Sequence, residues 1–511
     1  MCGVRMENRN KKFVLNSSTS LLQQIVTLIC GLILPQIILK TFGSSVNGTM
    51  ASITQFLSFI TLLQGGVGTV AKLAYYKPLA KKDNEGLSVA YKTVSSFYKK
   101  FSIIFSVYLI LLSVLFPMII DTGFNFGYVA LLVLILGLAS VFEYFFGQAS
   151  QMLLAAAQKN YIFSIVQIIC TILSTILGVV LIKCGGSVHL VKFVSALVFT
   201  VRPLFLYCYV KKHYSINKLA KKDNSVLGQR RSALVRHIAF YIHTSTDVFV
   251  LTIFTNILLV SVYSVHRYVI GSVSTLVTSI LGNTEAVFGD MFARNEKETM
   301  KRQIPVYDLL TKIISCTCFT TCMILIAPFL KLYTKGVTDV EYSQPIFAFI
   351  LCMAEMVYCM SITYQNVYIA AGHIKKTEWI AITEALINIG LSCLLVNFWG
   401  LLGVAIGTLT AMIFKTVANI IYMKKNVFNM SGVFIIKSNL INLLVCVTLF
   451  LGFRMMNFSL DNYWIFFGYA LIVFFAVLVV FLSINLLIFR KETKAVIEIL
   501  KKKFIKKRVS G

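Results

Sequence analysis

Charged residues stand inside several of the longest apolar segments of this sequence. An ionised side chain near the centre of a bilayer costs several kcal/mol unless it is paired or hydrated, so such residues mark functional sites or buried ion pairs. Lysine and arginine in this setting suit an anionic ligand, whereas aspartate and glutamate suit a proton or a small cation. The residues concerned are Lys72, Glu143, Arg202, Asp247, Arg267, Glu355 and Lys415.

The predicted depths of these residues suggest how some of them are used. Asp247 and Arg267 fall at similar depth on adjacent antiparallel segments, which favours a salt bridge. Lys72 and Arg202 lie nearer the predicted inner face, where Lys72 could instead extend its ammonium to the interface. Other ionisable residues are interpreted as helix hydrogen-bonding or structural residues rather than proton relays: His237, His266, Asp290 and Glu384.

Polar residues also recur at helical spacing within the apolar segments. A helix exposed only to lipid is apolar all round, so a polar stripe faces protein or water. Ser, Thr and Gly equally serve close helix packing, and for any one stripe both interpretations stay open. The same holds for Gly65, Gly66 and Gly68, which either bend their segment or pack it closely. One such stripe comprises Thr54, Ser58, Thr61, Gly65, Gly68 and Lys72.

The elements that position these residues are membrane-spanning helices. Hydrophobic residues make up 58% of the 511-residue chain and charged residues 13%, with a mean hydropathy of +0.81. Soluble domains carry about 25% charged residues, and about 20 apolar residues cross a bilayer core. The pattern predicts an all-α polytopic membrane protein of about fourteen helices. The predicted spans are 17–41, 46–75, 99–120, 127–153, 161–183, 189–210, 234–256, 260–288, 306–332, 344–370, 378–398, 402–423, 434–453 and 463–489.

The net charge of +28 is explained by topology rather than by nucleic-acid binding. With a cytoplasmic N-terminus, most Lys and Arg residues fall in the predicted inner loops and in a basic tail, as the positive-inside rule requires. Both termini are therefore predicted to be cytoplasmic, and the basic loops to attract anionic lipids. The basic residues in predicted outer turns are Lys40, Lys183, Lys331, Lys335 and Arg454.

The sequence lacks common nucleotide-binding and catalytic motifs, which argues against an enzyme. The sequence contains no GxxxxGK[ST], HExxH or GxSxG motif, and its short predicted outer turns leave no room for a catalytic loop. Twelve cysteines are present without CxxC spacing, which favours free buried thiols over a metal site. No enzyme activity, metal or organic cofactor is predicted.

A weak internal repeat predicts two lobes of six helices. Residues 154–161 (LAAAQKNY) resemble residues 369–376 (IAAGHIKK), an offset of about 215 residues. Parallel repeats with a site between them are a recurrent transporter design. The predicted division is a cytoplasmic N-terminus, an N-lobe, a basic linker, a C-lobe, two apolar lipid-facing helices and a basic tail: 1–16, 17–210, 211–233, 234–423, 434–489 and 490–511.

Several sequence motifs, in this order and spacing, resemble those of the Wzx-type polysaccharide and lipid-linked-oligosaccharide flippases. This family belongs to the multidrug/oligosaccharidyl-lipid/polysaccharide exporter superfamily. Two departures from the family pattern are Val248, where an arginine is common, and Lys72, where a planar arginine fork is common. The matching segments are 63–68 (LQGGVG), 76–80 (YKPLA), 246–251 (TDVFVL), 262–264 (VYS), 370–377 (AAGHIKKT), 384–388 (EALIN) and 400–408 (GLLGVAIGT).

The resemblance implies two lobes in a V around a central cavity. It also implies transfer of undecaprenyl-diphosphate-linked oligosaccharide across the bacterial cytoplasmic membrane by alternating access, for surface glycans such as capsule or O-antigen. The expected partners are that substrate, membrane lipids, and the polymerase and glycosyltransferases of a glycan pathway. A peptidoglycan-precursor flippase and a multidrug antiporter of the same superfamily are the alternatives.

Under this hypothesis the polar and charged residues divide into two groups. The first is expected to line the cavity and bind the substrate, comprising Lys72, Arg202, Arg267, Asp247, Gln64 and Tyr241. The second is expected to couple transport to a Na⁺ or H⁺ gradient, comprising Asp247, Glu143 and Glu355. A carboxylate beside a cation holds its charge strongly, which argues against proton carriage by Asp247 if it pairs with Arg267.

Overall fold

The computed structural model describes residues 2–64, 67–217, 220–223, 245–281, 284–428, 432–454 and 462–498. Within these ranges the chain is nearly all helical and has no strand, as the sequence predicts. Twelve of the described helices are long and apolar enough to cross a membrane. The first of them, Val14–Leu62, covers predicted span one and the first part of predicted span two. A shorter apolar helix, Ser245–Phe254, lies in predicted span seven. The predicted polytopic fold of about fourteen spans is confirmed.

Residue contacts divide the chain into an N-terminal unit, Met1–Ser261, and a C-terminal unit, Val262–Gly511. The helices of the N-terminal unit are α1 (Cys2–Phe59), α2 (Val67–Lys81), α3 (Asn84–Ile119), α4 (Phe126–Phe142), α5 (Gln148–Ala156), α6 (Asn160–Lys183), α7 (Val188–His213) and α8 (Ser245–Phe254). The first turn of the next helix, α9, also belongs to this unit.

The C-terminal unit is likewise helical, with short connections between its described elements. Within it, α12 packs against α11 and α15, and α14 packs against α15. Its helices are α9 (Ile257–Leu281), α10 (Thr284–Ala293), α11 (Lys297–Tyr333), α12 (Pro345–Met360), α13 (Ile362–Ala370), α14 (Glu378–Trp399), α15 (Leu401–Met423), α16 (Val433–Arg454) and α17 (Tyr463–Ile488).

Two irregularities divide the first predicted spans. At Gly43 the backbone of α1 leaves helical geometry with φ +85°, a left-handed value that glycine adopts without strain, and this kink separates spans one and two. Span two is then interrupted by a 3₁₀ segment, Ile60–Gln64, before α2 begins. The glycine pair Gly65–Gly66 lies outside the described residues. At Gly68 an added Cβ would make only ordinary contacts, 3.6 Å to Met152.

The predicted inner loop between spans two and three is almost entirely helical. Helix α2 continues to Lys81, and α3 begins only three residues later. The Asp83 carboxylate caps α3 by accepting a 2.8 Å hydrogen bond from the Gly86 N–H. The first turns of α3 then bury an apolar face that includes Leu87 and Val94. Hydropathy misses this extension because amphipathic helices outside the bilayer have mixed composition.

The beginning of the predicted linker is bound to the same extension. Helix α7 runs to His213, and the chain after it follows α3. The N–H of Asn217 donates to the Ser88 hydroxyl at 2.9 Å, and the N–H of Asp223 donates to the Thr93 hydroxyl at 3.0 Å. Residues 218, 219 and 224–233 of the linker lie outside the described part of the chain. The predicted domain boundaries stay predictions.

The two hairpins that suggest the repeat in the sequence have the same backbone geometry. Gln158 and Gly372 both have left-handed backbone, with φ +56° and +75°. In the first hairpin the N–H of Lys159 donates to the carbonyl of Leu154 at 2.8 Å. In the second, the N–H of His373 makes the same five-residue bond at 3.0 Å. Both ends are Schellman caps, and each follows a nine-residue helix, α5 or α13.

The last two helices are not purely lipid-facing, contrary to the sequence prediction. Asn442 of α16 and Asn485 of α17 are fully buried, and their amides bond to each other at 2.9 and 3.3 Å. Both helices also pack against α11. A polar pair is stable in this setting because the alternative is an unsatisfied amide in an apolar environment. The pair joins α16 and α17 by more than apolar contact.

Candidate functional site

Arg202 of α7 is the centre of a polar cluster in the N-terminal unit. Its Nη2 lies 2.7 Å from Oε2 of Glu143, and its Nη1 donates to the side-chain oxygen of Gln167 in α6. The guanidinium also lies over the Phe163 ring, 5.2 Å from its centroid. An arginine surrounded in this way is neutralised and held in place by three side chains. Two residues predicted for different tasks, substrate binding and ion coupling, are therefore one salt bridge.

The cluster is built on a π-helical turn, Glu143–Gly147, between α4 and α5. Such a turn inserts an extra residue and is frequent at functional sites. Gly147 permits it: a Cβ there would lie 2.8 Å from Oε1 of Glu143 and 2.8 Å from Cβ of Pro203. The turn is therefore packed directly against the segment of α7 that carries Arg202.

We expect Gly147→Ala to lower the free energy of unfolding by about 1–3 kcal/mol, because the added methyl has no space unless Glu143 or Pro203 moves. Thermal unfolding of the purified protein measures this. Gly271→Ala is the matched control, since it adds the same methyl within a membrane-spanning helix where nothing lies within 4 Å. Equal unfolding temperatures for the two variants would contradict the packing argument.

Arg267 of α9 pairs with Glu355 of α12 in the C-terminal unit. Glu355 is buried, whereas Arg267 keeps 27% of its side chain exposed. A predicted substrate cation and a predicted coupling carboxylate again form one ion pair. The predicted bridge from Arg267 to Asp247 joins residues of different units and stays a prediction.

Lys415 of α15 occupies a second polar cluster in the C-terminal unit. Its Nζ lies 3.1 Å from Oε2 of Glu384 in α14, and 5.3 Å from the ring centroid of Tyr358 in α12. The following residue, Thr416, donates its hydroxyl to the carbonyl of Val357 at 3.2 Å. Glu384, interpreted from the sequence as structural, is the partner of this lysine.

The Arg202 and Lys415 clusters occupy equivalent places in the repeat. Arg202 lies fourteen residues after the start of α7, and Lys415 lies fourteen residues after the start of α15. Their acceptors, Gln167 and Glu384, lie seven and six residues after the starts of α6 and α14. Each cation thus bonds to the preceding helix of its own hairpin. The two halves of the repeat share an arrangement of side chains and not merely a helix order.

Lys72 differs from Arg202 and Arg267, the other predicted substrate cations, in its surroundings. It lies on α2, whose buried face includes Val67, Ala71 and Tyr75. Its side chain is half-buried, and among the described residues no carboxylate or other side chain pairs with it. It is the cation of the predicted set that the described structure leaves unneutralised.

The remaining predicted residues have distinct placements. Gln64 stands at the end of the 3₁₀ segment, and its side chain is half-buried. Asp247 is 7% exposed on α8. His266 is fully buried, and its Nδ1–H donates to the carbonyl of Val262 at 2.9 Å, which is the helix hydrogen bond expected from the sequence. Tyr241 and His237 lie outside the described residues.

Sequence reasoning missed a fully buried ion pair in the C-terminal unit. Nζ of Lys312 lies 2.6 Å from Oδ2 of Asp308, both on α11 and both with side chains 0% exposed. Tyr364 donates to the other carboxylate oxygen at 2.6 Å, and Lys312 bonds to the Ser438 hydroxyl at 2.6 Å. The signal was available, since Asp308 and Lys312 stand four residues apart in an apolar segment.

The cysteines whose side chains the structure describes are free thiols; most are buried or partly buried as predicted, whereas Cys184 and Cys208 are exposed. The described residues contain no group of three His, Cys, Asp or Glu side chains able to hold a metal ion.

Comparison with known proteins identifies the fold. No family model and no curated protein matches the sequence. The structure resembles "Lipid II flippase MurJ, inward closed conformation", with a TM-score of 0.68 and 16% identity over 93% of this chain and 99% of that one. It also resembles a ligand complex of the "MATE multidrug transporter DinF-BH" (TM-score 0.61, 16% identity, 82% of this chain and 97% of that one).

A third similar structure is an inward-facing "multidrug resistance MATE family transporter of the MOP superfamily" (TM-score 0.58, 17% identity, 78% of this chain and 94% of that one). These neighbours are membrane transporters and flippases. The chain therefore shares its fold with these flippase and transporter structures, and its long apolar helices make it a multi-pass membrane protein.

Proposed function

We propose that this protein is a flippase that moves an undecaprenyl-diphosphate-linked oligosaccharide across the bacterial cytoplasmic membrane. It would act by alternating access and supply a surface-polysaccharide pathway, with membrane lipids, a polymerase and glycosyltransferases as partners. Both termini would be cytoplasmic, as the distribution of basic residues predicts.

The observation that carries the proposal is the ammonium of Lys72, which no side chain among the described residues neutralises. The other substrate cations predicted in the spans are already paired: Arg202 with Glu143, and Arg267 with Glu355. A cation in a membrane-spanning segment is costly without a counter-charge. An anionic head group that docks at Lys72 would supply one. A diphosphate carries this charge, and its lipid and sugar lie on either side of it.

The extent of the structural match supports a lipid-linked substrate. The lipid II flippase match covers 93% of this chain, whereas the two transporter matches cover 82% and 78%. Because the diphosphate chemistry of lipid II is the same, a peptidoglycan-precursor flippase is the second candidate. A cationic drug would meet repulsion at Lys72, which makes a multidrug antiporter the weaker alternative.

The energy source is proposed to be an ion gradient, with Asp247, Glu143 and Glu355 as candidate coupling sites. Two of these carboxylates are engaged by arginines in this structure. An ion that binds Glu143 or Glu355 would therefore have to displace Arg202 or Arg267. The conformational change of the transport cycle is the step at which we expect this exchange.

Reconstitution separates the candidate functions. Purified protein in vesicles should move a fluorescent undecaprenyl-diphosphate oligosaccharide between leaflets, measured by quenching with a membrane-impermeant reagent. Lipid II with its peptide and a cationic dye such as rhodamine serve as competing substrates. Faster movement of the dye than of the lipid-linked sugar would replace this proposal by the antiporter function, and preference for lipid II would replace it by the peptidoglycan function.

Arg267→Ala is expected to reduce transport about tenfold or more, because it removes the charge that Arg267 presents to the buried Glu355 carboxylate. Arg294→Ala is the control, since that arginine forms an exposed pair with Asp290 at 3.1 Å. Vesicle transport rates, normalised to inserted protein, measure the effect. Equal rates for the two variants would remove Arg267 from the site.

A further inference from the structure

We propose that the C-terminal unit carries a built binding surface for anionic phospholipid headgroups at its predicted cytoplasmic end. The surface is organised by a short helix at residues 490–498, here called the tail helix, which follows α17 directly. Its ligands are lipids that surround the protein, so the surface is independent of the transported substrate. Its cations are Lys424, Lys437, Arg490, Lys491 and Lys494.

The tail helix is docked on the C-terminal unit by an apolar face. Val496 is fully buried and belongs to the same hydrophobic cluster as Leu309 and Ile313 of α11. Phe489 lies at the bend between α17 and the tail helix, and its ring packs edge-on against Phe434 of α16, with centroids 5.1 Å apart. The tail helix is therefore held against α11 and α16.

A buried polar seam fixes the same helix from within. The hydroxyl of fully buried Thr493 lies 2.9 Å from the carbonyl oxygens of Asn485 and Phe489 and donates to one of them. The Asn485 side chain pairs with Asn442, whose amide donates to the carbonyl of Ser438 at 2.8 Å. The Ser438 hydroxyl in turn contacts the buried ion pair of α11. The position of the tail helix is thus tied to the interior of the unit.

The opposite face of the tail helix is basic and exposed. Arg490, Lys491 and Lys494 are all exposed, and they lie within little more than one helical turn. Glu492 and Glu498 stand on the same helix, but among the described residues no carboxylate forms a salt bridge with these three cations. A helix with one docked apolar face and one basic face is amphipathic in the way that suits an anionic surface.

Two neighbouring helices add cations at the same end of the unit. Lys437 is exposed on α16, three residues after Phe434, whose ring contacts Phe489. Lys424 is exposed at the end of α15, and its Nζ lies 3.4 Å from the place that a Cβ on Gly432 would occupy, just before α16 begins. Three segments that are distant in sequence therefore bring their cations together, which a topology signal alone does not require.

The surface lies where a membrane-spanning helix meets the headgroups. Leu487 and Ile488, the last residues of α17, are 82% and 42% exposed, as expected for side chains that face lipid. Arg490 follows two residues later. Each Lys or Arg next to a membrane surface strengthens binding to anionic lipid about fivefold. A lipid fits this place better than free phosphate, because the exposed leucine and isoleucine can contact its acyl chains.

Lys491→Gln/Lys494→Gln tests the surface, since both side chains are exposed and the docked face stays intact. Lys375→Gln/Lys376→Gln is the matched control, because it removes the same charge from another exposed lysine pair of this unit. Purified full-length protein in nonionic detergent is titrated with phosphatidylglycerol. The measured quantity is the lipid fraction that gives half of the maximal rise in unfolding temperature. Phosphatidylcholine and glycerol 3-phosphate are titrated in parallel.

We expect phosphatidylglycerol to raise the unfolding temperature of the wild type, and the other two compounds to leave it unchanged. Lys491→Gln/Lys494→Gln should need about thirtyfold more phosphatidylglycerol, from two cations at about fivefold each. The control should respond like the wild type. Equal losses in both double variants would show an effect of net charge alone and overturn the site, as would no loss in either. An equal response to glycerol 3-phosphate would replace the lipid by a free phosphate ligand.

Val496→Ser tests whether docking builds the surface, because it removes the buried apolar anchor and keeps every cation. Val473→Ser is its control, a 2% exposed valine of α17 that stands seventeen residues before the tail helix. Both variants should unfold at a lower temperature without lipid, since each buries a hydroxyl in place of methyl groups. Only Val496→Ser should need more phosphatidylglycerol for half of the effect. An unchanged lipid requirement in Val496→Ser would refute a surface built by the docked helix.

Discussion

Lys72→Ala is expected to abolish surface-glycan output, with a fall in vesicle transport of about a hundredfold. The expectation follows from the contrast between Lys72 and its fellow cations. Arg202 and Arg267 have carboxylate partners, whereas no described side chain neutralises Lys72. Loss of a charge contact to a desolvated phosphate costs about 2–5 kcal/mol, and each 1.4 kcal/mol corresponds to a factor of ten. Surface glycan is measured by antibody labelling of cells that carry the variant as their sole copy.

Two further variants separate charge from helix structure. Lys72→Arg keeps the charge and should retain most transport, because a guanidinium fork also contacts a diphosphate. Lys77→Ala removes an exposed lysine about one and a half turns later on α2 and should transport normally. Equal amounts of all three proteins in the membrane exclude an insertion defect. Normal glycan output in Lys72→Ala cells would refute the anion-binding role of this residue.

The spans were predictable because membrane crossing is a one-dimensional signal. A run of apolar residues of the right length suffices, so the prediction of 463–489 closely matches α17, Tyr463–Ile488. The hairpin repeat was also predictable from short sequence similarity. By contrast, the helical extension at the start of α3 follows from amphipathic packing and a cap at Asp83, which hydropathy averages do not register.

The pairing of the charged residues was not predictable. Glu143 and Arg202 stand 59 residues apart on different helices, and their meeting depends on the π-helical turn and on side-chain conformation. Sequence periodicity places a residue on a helix face, but a single inserted residue rotates that face by about 100°. The 3₁₀ segment Ile60–Gln64 displaces α2 in the same way. These two irregular turns determine the N-terminal site, and neither has a periodic signature.

The buried pair Asp308–Lys312 differs from the Glu143–Arg202 pair. Its four-residue spacing can be read from the sequence, but its complete burial cannot. Lys312 also bonds to Ser438 of α16, and Asp308 accepts from Tyr364 of α13, so three helices meet at one ion pair. A buried pair is weak evidence for net stabilisation, because desolvation offsets attraction. It does indicate that the stability of the fold is sensitive to the loss of one partner, because the remaining charge is then buried away from solvent.

Lys312→Met is therefore expected to lower the free energy of unfolding by about 3–5 kcal/mol, because the Asp308 carboxylate remains buried without its ammonium. Unfolding of the purified protein in mixed detergent, followed by helical circular dichroism, measures the loss. Lys301→Met is the surface control, since its 3.0 Å pair with Glu298 is exposed and should contribute less than about 1 kcal/mol.

The double variant Asp308→Asn/Lys312→Met shows whether charge or packing causes the loss. The introduced amide can still accept the Tyr364 hydrogen bond, and methionine fills much of the lysine volume, so no ion remains buried. We expect it to recover most of the stability lost in Lys312→Met, because replacement of a whole buried pair is often neutral. If the double variant is as unstable as the single one, the lost stability comes from the lysine contacts that hold α16, to Ser438 at 2.6 Å and to Ile435 at 3.4 Å. The charge pair would then not be its source.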